Sequence, residues 1–345
     1  MAKQKLAGRG SVLTHLVRAL RQAGYPTGIL ARAVPAWWNK ETESKPGAVA
    51  HLKLLLARRL GLDVQSILES GEIKPVAPTG MKFKRSADRE HESPPDPTLA
   101  FCGTLARSVA ATIPPSDRLP GSGDEIRGAI LADPSRRWVG LEDLLKYCWD
   151  RSIAVVHVSE LPGKRKGMDA LVYRFAGRDV IVLTRDVKTS PAWMSYLIAH
   201  ELGHIALEHV RENEAYADHE SDDANVLSAK AGTDEEAANA FARSVLAGST
   251  VEDFWTDHGS TPLDLAKTAQ REGVTRRIDP DHIILRYARE SDCWPYAMSA
   301  LTYTKQASVI PSKVINSLAL DRMDLAELGD ETSTMLSDTL RLAIA

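Results

Sequence analysis

Two histidines and a glutamate stand together in the run His200-Glu201-Leu202-Gly203-His204. On a helix, side chains four positions apart lie one above the other. Both imidazoles of this H-E-x-x-H run therefore face one point and can share a cation. Imidazole nitrogen is a good ligand for zinc, and the adjacent Glu201 carboxylate is placed to take a proton from water on such an ion. The implied chemistry is hydrolysis, with Glu201 as the general base. The plainer reading is a pair of hydrogen-bonded core histidines. Against it, the preceding Tyr196-Leu197-Ile198-Ala199 is apolar, and unpartnered imidazoles are unwelcome in a part-buried setting.

The helix that must carry this run is legible. Ser190-Pro191 reads as an N-cap followed by a first-turn proline. Trp193, Met194, Leu197, Ile198, Ile205 and Leu207 continue an apolar helical pattern that only Gly203 interrupts. A catalytic zinc usually takes three protein ligands and a water. The downstream candidates are Glu208, His209, Glu214, Asp218, His219, Asp222, Asp223, Glu235 and Glu236. Glu208 and His209 lie too far along the helix axis to close a tetrahedron with both histidines, and read as solvent-facing or supporting groups. Spacing alone leaves the others open.

The stretch Glu235-Glu236-Ala237-Ala238-Asn239-Ala240-Phe241-Ala242, taken with His200-Glu201-Leu202-Gly203-His204, resembles the ImmA/IrrE family of bacterial zinc metallo-endopeptidases. The resemblance covers about residues 150–250. It implies that His200, His204 and Glu235 bind Zn2+ and that Glu201 is the general base. Local chemistry agrees: with Thr233 as N-cap, Glu236 makes a capping box and leaves Glu235 free. Asn239, one turn further on, is placed to orient a carboxylate or a histidine. The likeness ends at Arg243-Ser244-Val245-Leu246-Ala247-Gly248, where the family carries a Leu-Leu-Met-Pro-like run. Tyr216, His219 and His209 are candidates for stabilising an oxyanion. The resemblance further implies a regulatory protease whose protein substrate is a helix-turn-helix repressor, in a stress, mobile-element or defence response.

The surrounding elements fit an α+β chain: a mostly helical zincin-like catalytic domain with a small twisted sheet, plus an N-terminal all-α helix-turn-helix-like domain. A chain of 345 residues suggests two or three domains. Helical patterns over 11–23, 27–34, 48–60 and 63–68 assign 1–70 to the helix-turn-helix-like domain. Prolines, glycines and charges make 71–97 a linker. Residues 98–250 form the metallopeptidase domain, with helices, a strand at 153–158 and a hairpin over 171–184 before the metal helix. The acidic stretch 211–236 reads as a loop, and 251–345 as a helical region of unassigned role. An edge of the small sheet beside the metal is useful to a peptidase, because an extended substrate can add to it as a further strand.

Charge is uneven: residues 1–85 carry roughly +10 and the remainder roughly −13. The basic end suggests DNA contact through the N-terminal module, although Pro35-Ala36-Trp37-Trp38-Asn39-Lys40 offers little to read base edges. Three isolated cysteines argue for a reducing, cytoplasmic setting and against a disulfide framework. No apolar run spans a bilayer, so no membrane is expected. Two rival readings are a DNA-binding regulator whose metal domain senses without cutting, and a toxin–antitoxin component. Both leave Glu201 unexplained, since a structural metal site needs no base.

Overall fold

The computed structural model describes residues 12–76, 82–83, 96–163, 168–185, 190–219, 233–249, 261–304 and 309–342. It is a mostly helical α+β structure around one mixed sheet. The N-terminal helices are α1 (Val12–Gln22), α2 (Thr27–Ala33), α3 (Lys40–Glu43), α4 (Pro46–Leu60) and α5 (Val64–Glu69). After them come β1 (Lys82–Phe83), α6 (Pro97–Ala110), α7 (Gly123–Leu131), α8 (Leu141–Trp149) and β2 (Ile153–His157). The hairpin β3 (Met168–Phe175) and β4 (Arg178–Leu183) leads to α9 (Pro191–Ala206), β5 (Ala215–His219) and α10 (Thr233–Leu246). The rest is α11 (Pro262–Arg276), α12 (Pro280–Ser291), α13 (Trp294–Leu301), α14 (Pro311–Arg322) and α15 (Asp330–Arg341).

The strands lie in the order β1-β5-β3-β4-β2. β3 is antiparallel to both β4 and β5, while β2 runs parallel to β4. The β3–β4 turn is two residues, Ala176 and Gly177, both at positive φ (51° and 69°), the backbone that suits the strand twist in a tight hairpin. Arg174 clamps the hairpin with two hydrogen bonds to Asp179, at 2.6 and 3.0 Å. Both faces of the sheet are covered, which is why the strands are continuous apolar runs and do not alternate with polar residues. Ala154, Val156, Leu171, Tyr173, Val180 and Val182 pack toward α6 and the N-terminal helices. Ile153, Val155, Val172, Ile181 and Leu183 pack toward α8, α9 and α10.

The N-terminal helices share the first of these cores with α6 and α15. Tyr25 Oη donates to the Leu60 carbonyl at 2.8 Å, and Arg59 donates to the carbonyls of Ala33 and Glu331, each at 2.7 Å. Gly61 ends α4 at φ +69°, and a Cβ there would meet the Ala100 carbonyl oxygen at 2.3 Å. Only glycine permits both the left-handed turn and that approach. The Trp37 indole donates to the Glu331 carboxylate and stacks on His51.

Two elements depart from the expectations. Within the presumed linker, Lys82–Phe83 forms a strand paired with β5. Within the presumed acidic loop, Ala215–His219 forms β5, because tertiary pairing with β3 outweighs a composition poor in strand formers. α15 closes the described chain inside the C-terminal region expected to be helical. Among the described residues no helix is long and apolar enough to cross a membrane.

The start of α12 offers a stability test. Asp279 caps the helix by accepting from the Asp281 amide at 2.9 Å. Burial, helped by the neighbouring Asp281 charge, pushes its carboxyl up to about 7. The folded chain therefore holds that proton more tightly than the unfolded one. The associated stability is complete below pH about 4 and is lost as pH rises through about 7. Asp279→Asn keeps a capping oxygen and removes the charge. Urea unfolding should show little difference from wild type below pH 4 and a gain of about 1–2 kcal/mol at pH 8, after allowance for solvent screening.

Candidate metal centre

α9 begins as its sequence dictates. The Ser190 hydroxyl caps the Trp193 amide at 3.3 Å, and Pro191 fills the first turn. The helix is buried almost all round, packed on the sheet and on α10, and its apolar face seats His200, Glu201 and His204 in the interior. Their exposures are 2 %, 0 % and 0 %, and Glu235 on α10 is 2 % exposed. Four ionisable side chains this deeply buried are costly unless they answer to one another or to a ligand.

Three of them converge. The Nε2 atoms of His200 and His204 are 3.1 Å apart. Glu235 Oε2 is 3.5 Å from His200 Nε2, and Oε1 is 3.6 Å from His204 Nε2. A tetrahedral ion with bonds of about 2.0–2.1 Å places its ligand atoms roughly 3.3 Å apart, so the triangle has the size such an ion requires. Among the described residues this is the one group of at least three histidine, cysteine or acidic side chains close enough to hold a metal ion. Glu236, the adjacent alternative, faces solvent. Burial by itself would raise the Glu235 carboxyl; hydrogen bonding from His200 and Tyr216 and the positive fields of both histidines reverse this and hold it at about 2. It is thus ionised at physiological pH, as a metal-binding carboxylate must be.

A second layer fixes the orientation. Tyr216 on β5 donates its hydroxyl to Glu235 Oε1 at 2.6 Å and stacks on the His204 ring at a centroid distance of 4.1 Å. His204 Nδ1 meets His209 Nδ1 at 3.0 Å, and His209 Nε2 lies 3.7 Å from Asp234. Tyr216 and His209, expected as oxyanion candidates, are both engaged with the ligand side chains. The His219 side chain lies outside the described residues, as do the side chain of Asp218, residues 222 and 223, and the side chain of Thr233 that was expected to cap α10. Glu208 turns outward to an exposed ion pair with Arg118 at 3.3 Å.

Asn239 meets Tyr196, one turn before His200. It accepts a hydrogen bond from Tyr196, which also receives one from Arg289 at 2.5 Å. Tyr196 lies one turn before His200 and between its ring and that of His282. Burial lowers His282 to about 4, so it stays neutral. Sequence reasoning missed this Tyr196–Asn239–Arg289 group; the four-residue step from Tyr196 to His200 was the available signal.

Comparison with protein-family models, with curated proteins and with solved structures gives no match.

The convergence depends on how closely α9 and α10 approach. A Cβ on Gly203 would lie 3.0 Å from Ala238 Cα and 3.2 Å from both the Ala238 oxygen and Phe241 Cβ. Glycine in a helix costs about 1 kcal/mol against alanine, so its presence inside α9 answers to this contact. Alanine, with its better helix propensity, would recover part of any strain. Gly203→Leu cannot be absorbed and should cost roughly 1–3 kcal/mol of overpacking. It should also separate Glu235 from the histidines and weaken metal binding about ten- to a hundredfold. Thermal unfolding and a metal competition titration measure the two effects.

Proposed function

We propose that this chain is a zinc-dependent endopeptidase in which His200, His204 and Glu235 hold the ion and Glu201 is the general base. The observation that carries the reading is the buried His200–His204–Glu235 triangle, with ligand atoms 3.1–3.6 Å apart. Two imidazoles, neutral once an ion replaces the protons on their Nε2 atoms, and one carboxylate are the donor set of hydrolytic zinc, which keeps a further position for water. When bound, zinc would supply Lewis acidity toward water and the scissile carbonyl. Glu201 takes the proton from the attacking water and returns it to the leaving amine. Tyr216 holds the Glu235 carboxylate in place through its hydroxyl. The His209–Asp234 pair supports His204 from behind: if Nε2 of His204 held an ion, its Nδ1–H would donate to His209.

The likeness of His200-Glu201-Leu202-Gly203-His204 and Glu235 to Ala242 to the ImmA/IrrE endopeptidases supports a regulatory role. We take the substrate to be a helix-turn-helix repressor, cut in the cytoplasm. DNA contact is a weaker proposal. The element in the position of a reading helix, α3, is one turn of Lys40, Glu41, Thr42 and Glu43, and two of its four side chains are acidic. Trp37, just before it, is engaged with α15.

Purified protein should contain about one zinc per chain. Glu235→Ala should lose it, Glu236→Ala should keep it, and Glu201→Gln should keep the metal while abolishing cleavage of a helix-turn-helix repressor encoded nearby. Elemental analysis and gel assays read these outcomes. Zinc retained in Glu235→Ala, or cutting retained in Glu201→Gln, defeats the assignment.

A further inference from the structure

Far from the metal centre, α4, α6 and α15 leave a cavity of about 210 Å³ between them. Leu55 of α4, Phe101 of α6 and Met335 of α15 give it apolar walls, and Arg58, Arg59 and Thr104 also line it. Arg59 is nearly closed off from solvent, with its side chain 5 % exposed. Its Nη atoms donate to the carbonyls of Ala33 and Glu331, while Nε is buried with no acceptor among the described residues. The Glu331 carboxylate stands 3.8 Å away and is itself engaged by the Trp37 indole. Burial works against the Arg59 charge, and Glu331 offsets only part of that effect. The neighbouring Arg58 is exposed and marks the open side of the cavity. Neither it nor the Thr104 hydroxyl has a hydrogen bond or ion pair among the described residues.

We propose that this cavity binds a small monocarboxylate with a compact apolar body, its carboxylate drawn to the Arg58–Arg59 pair and its body set against Leu55, Phe101 and Met335. Two adjacent guanidinium groups with one carboxylate between them in reach are under-compensated, and the planar guanidinium fork suits a carboxylate. The walls choose among anions. A hydrated inorganic ion would leave the apolar carbon uncovered, whereas a ring or short chain removes it from water. Size sets the upper bound. An apolar cavity of about 150 Å³ accepts benzene, so about 210 Å³ admits a body of that size with its carboxylate and is too small for a nucleotide. The three walls come from elements far apart in the chain, so an occupant would bridge the N-terminal helices to α6 and α15 and stabilise their packing. This inference is independent of the endopeptidase reading and stands or falls without it. The opposing explanation is a packing void with an unpaired surface arginine at its rim.

The test uses the full chain, with and without added zinc, and three probes at equal concentration: benzoate, benzyl alcohol and acetate. Ligand-observed NMR reads binding, and thermal unfolding reads its effect on the fold. Benzoate at roughly tenfold its Kd should raise the unfolding midpoint by about 2–4 °C. Benzyl alcohol has the body without the charge, and acetate the charge without the body; each should shift it far less. Arg58→Gln should weaken benzoate binding about five- to tenfold. Leu55→Phe, which fills the cavity, should abolish it. Arg58 makes no hydrogen bond or ion pair among the described residues, so its replacement spares the fold and decides the question even where Leu55→Phe disturbs packing. Because a carboxylate can also ligate zinc, benzoate should bind equally with and without the metal. Binding that requires zinc assigns the probe to the metal centre and overturns the proposal. So does the absence of any benzoate shift, or wild-type affinity in Arg58→Gln. Equal shifts with benzoate and benzyl alcohol reduce the cavity to an apolar void, and equal shifts with benzoate and acetate reduce it to a general ion effect; either result overturns the proposal as well.

Discussion

The approach of α9 to α10 at Gly203 and Ala238 is the constraint on which the centre depends. His200 and His204 come from one helix and Glu235 from another, and no chain connectivity brings them together. A missing side chain does: with no Cβ at Gly203, the helices close until Glu235 stands 3.5–3.6 Å from both imidazoles. The apolar surface of α9, α10 and the sheet provides the driving force for that closure. The same burial that drives it makes the ionised groups costly, and the positive field of the histidines, together with the Tyr216 hydroxyl, offsets the cost at Glu235.

The sheet acts on the centre mainly through β5. Its register against β3, with Tyr216 opposite Val172, sets where the Tyr216 ring and hydroxyl fall. The ring then lies on His204 and the hydroxyl on Glu235, so one side chain ties the strand to ligands from two helices. This gives the small sheet a specific task beyond supplying a core: it orients side chains that could hold a metal ion. The N-terminal helices reach the same assembly from the opposite face of the sheet, where Tyr173 and Val182 meet the core they share with α6. Arg59 and Trp37 add polar links from this N-terminal group to α15, the last described helix of the chain.

Much of this was legible in the residues, and for local reasons. Helix periodicity, the Ser190-Pro191 start and the four-residue histidine spacing depend only on near neighbours, and they placed α9 and its imidazoles correctly. The apolar strands at 153–158 and 171–184 stood out because a sheet buried on both faces needs uninterrupted apolar runs. The α+β class follows from that order of elements. Glu235 was reached through resemblance, and its adjacency to Glu236 is resolved by helix phase: one carboxylate turns inward toward the histidines and the other outward to solvent.

What tertiary structure decided are the features whose cause lies far away in the chain. β5 was hidden in an acidic stretch because its strand state comes from pairing with β3 and not from propensity. β1 was hidden in a proline- and charge-rich segment for the same reason. Gly203 looked like a flaw in a helix until Ala238 was seen against it. Tyr216 and His209 were recognisable as polar groups near the site, but whether they meet a ligand or a substrate depends on a strand register and on a turn after α9. The sequence by itself determined which side chains could share an ion and which helix carries the two histidines, because ligand chemistry and helix spacing are local; the distances that bring them together with Glu235, and the strand whose Tyr216 packs on them, were set only when distant segments packed.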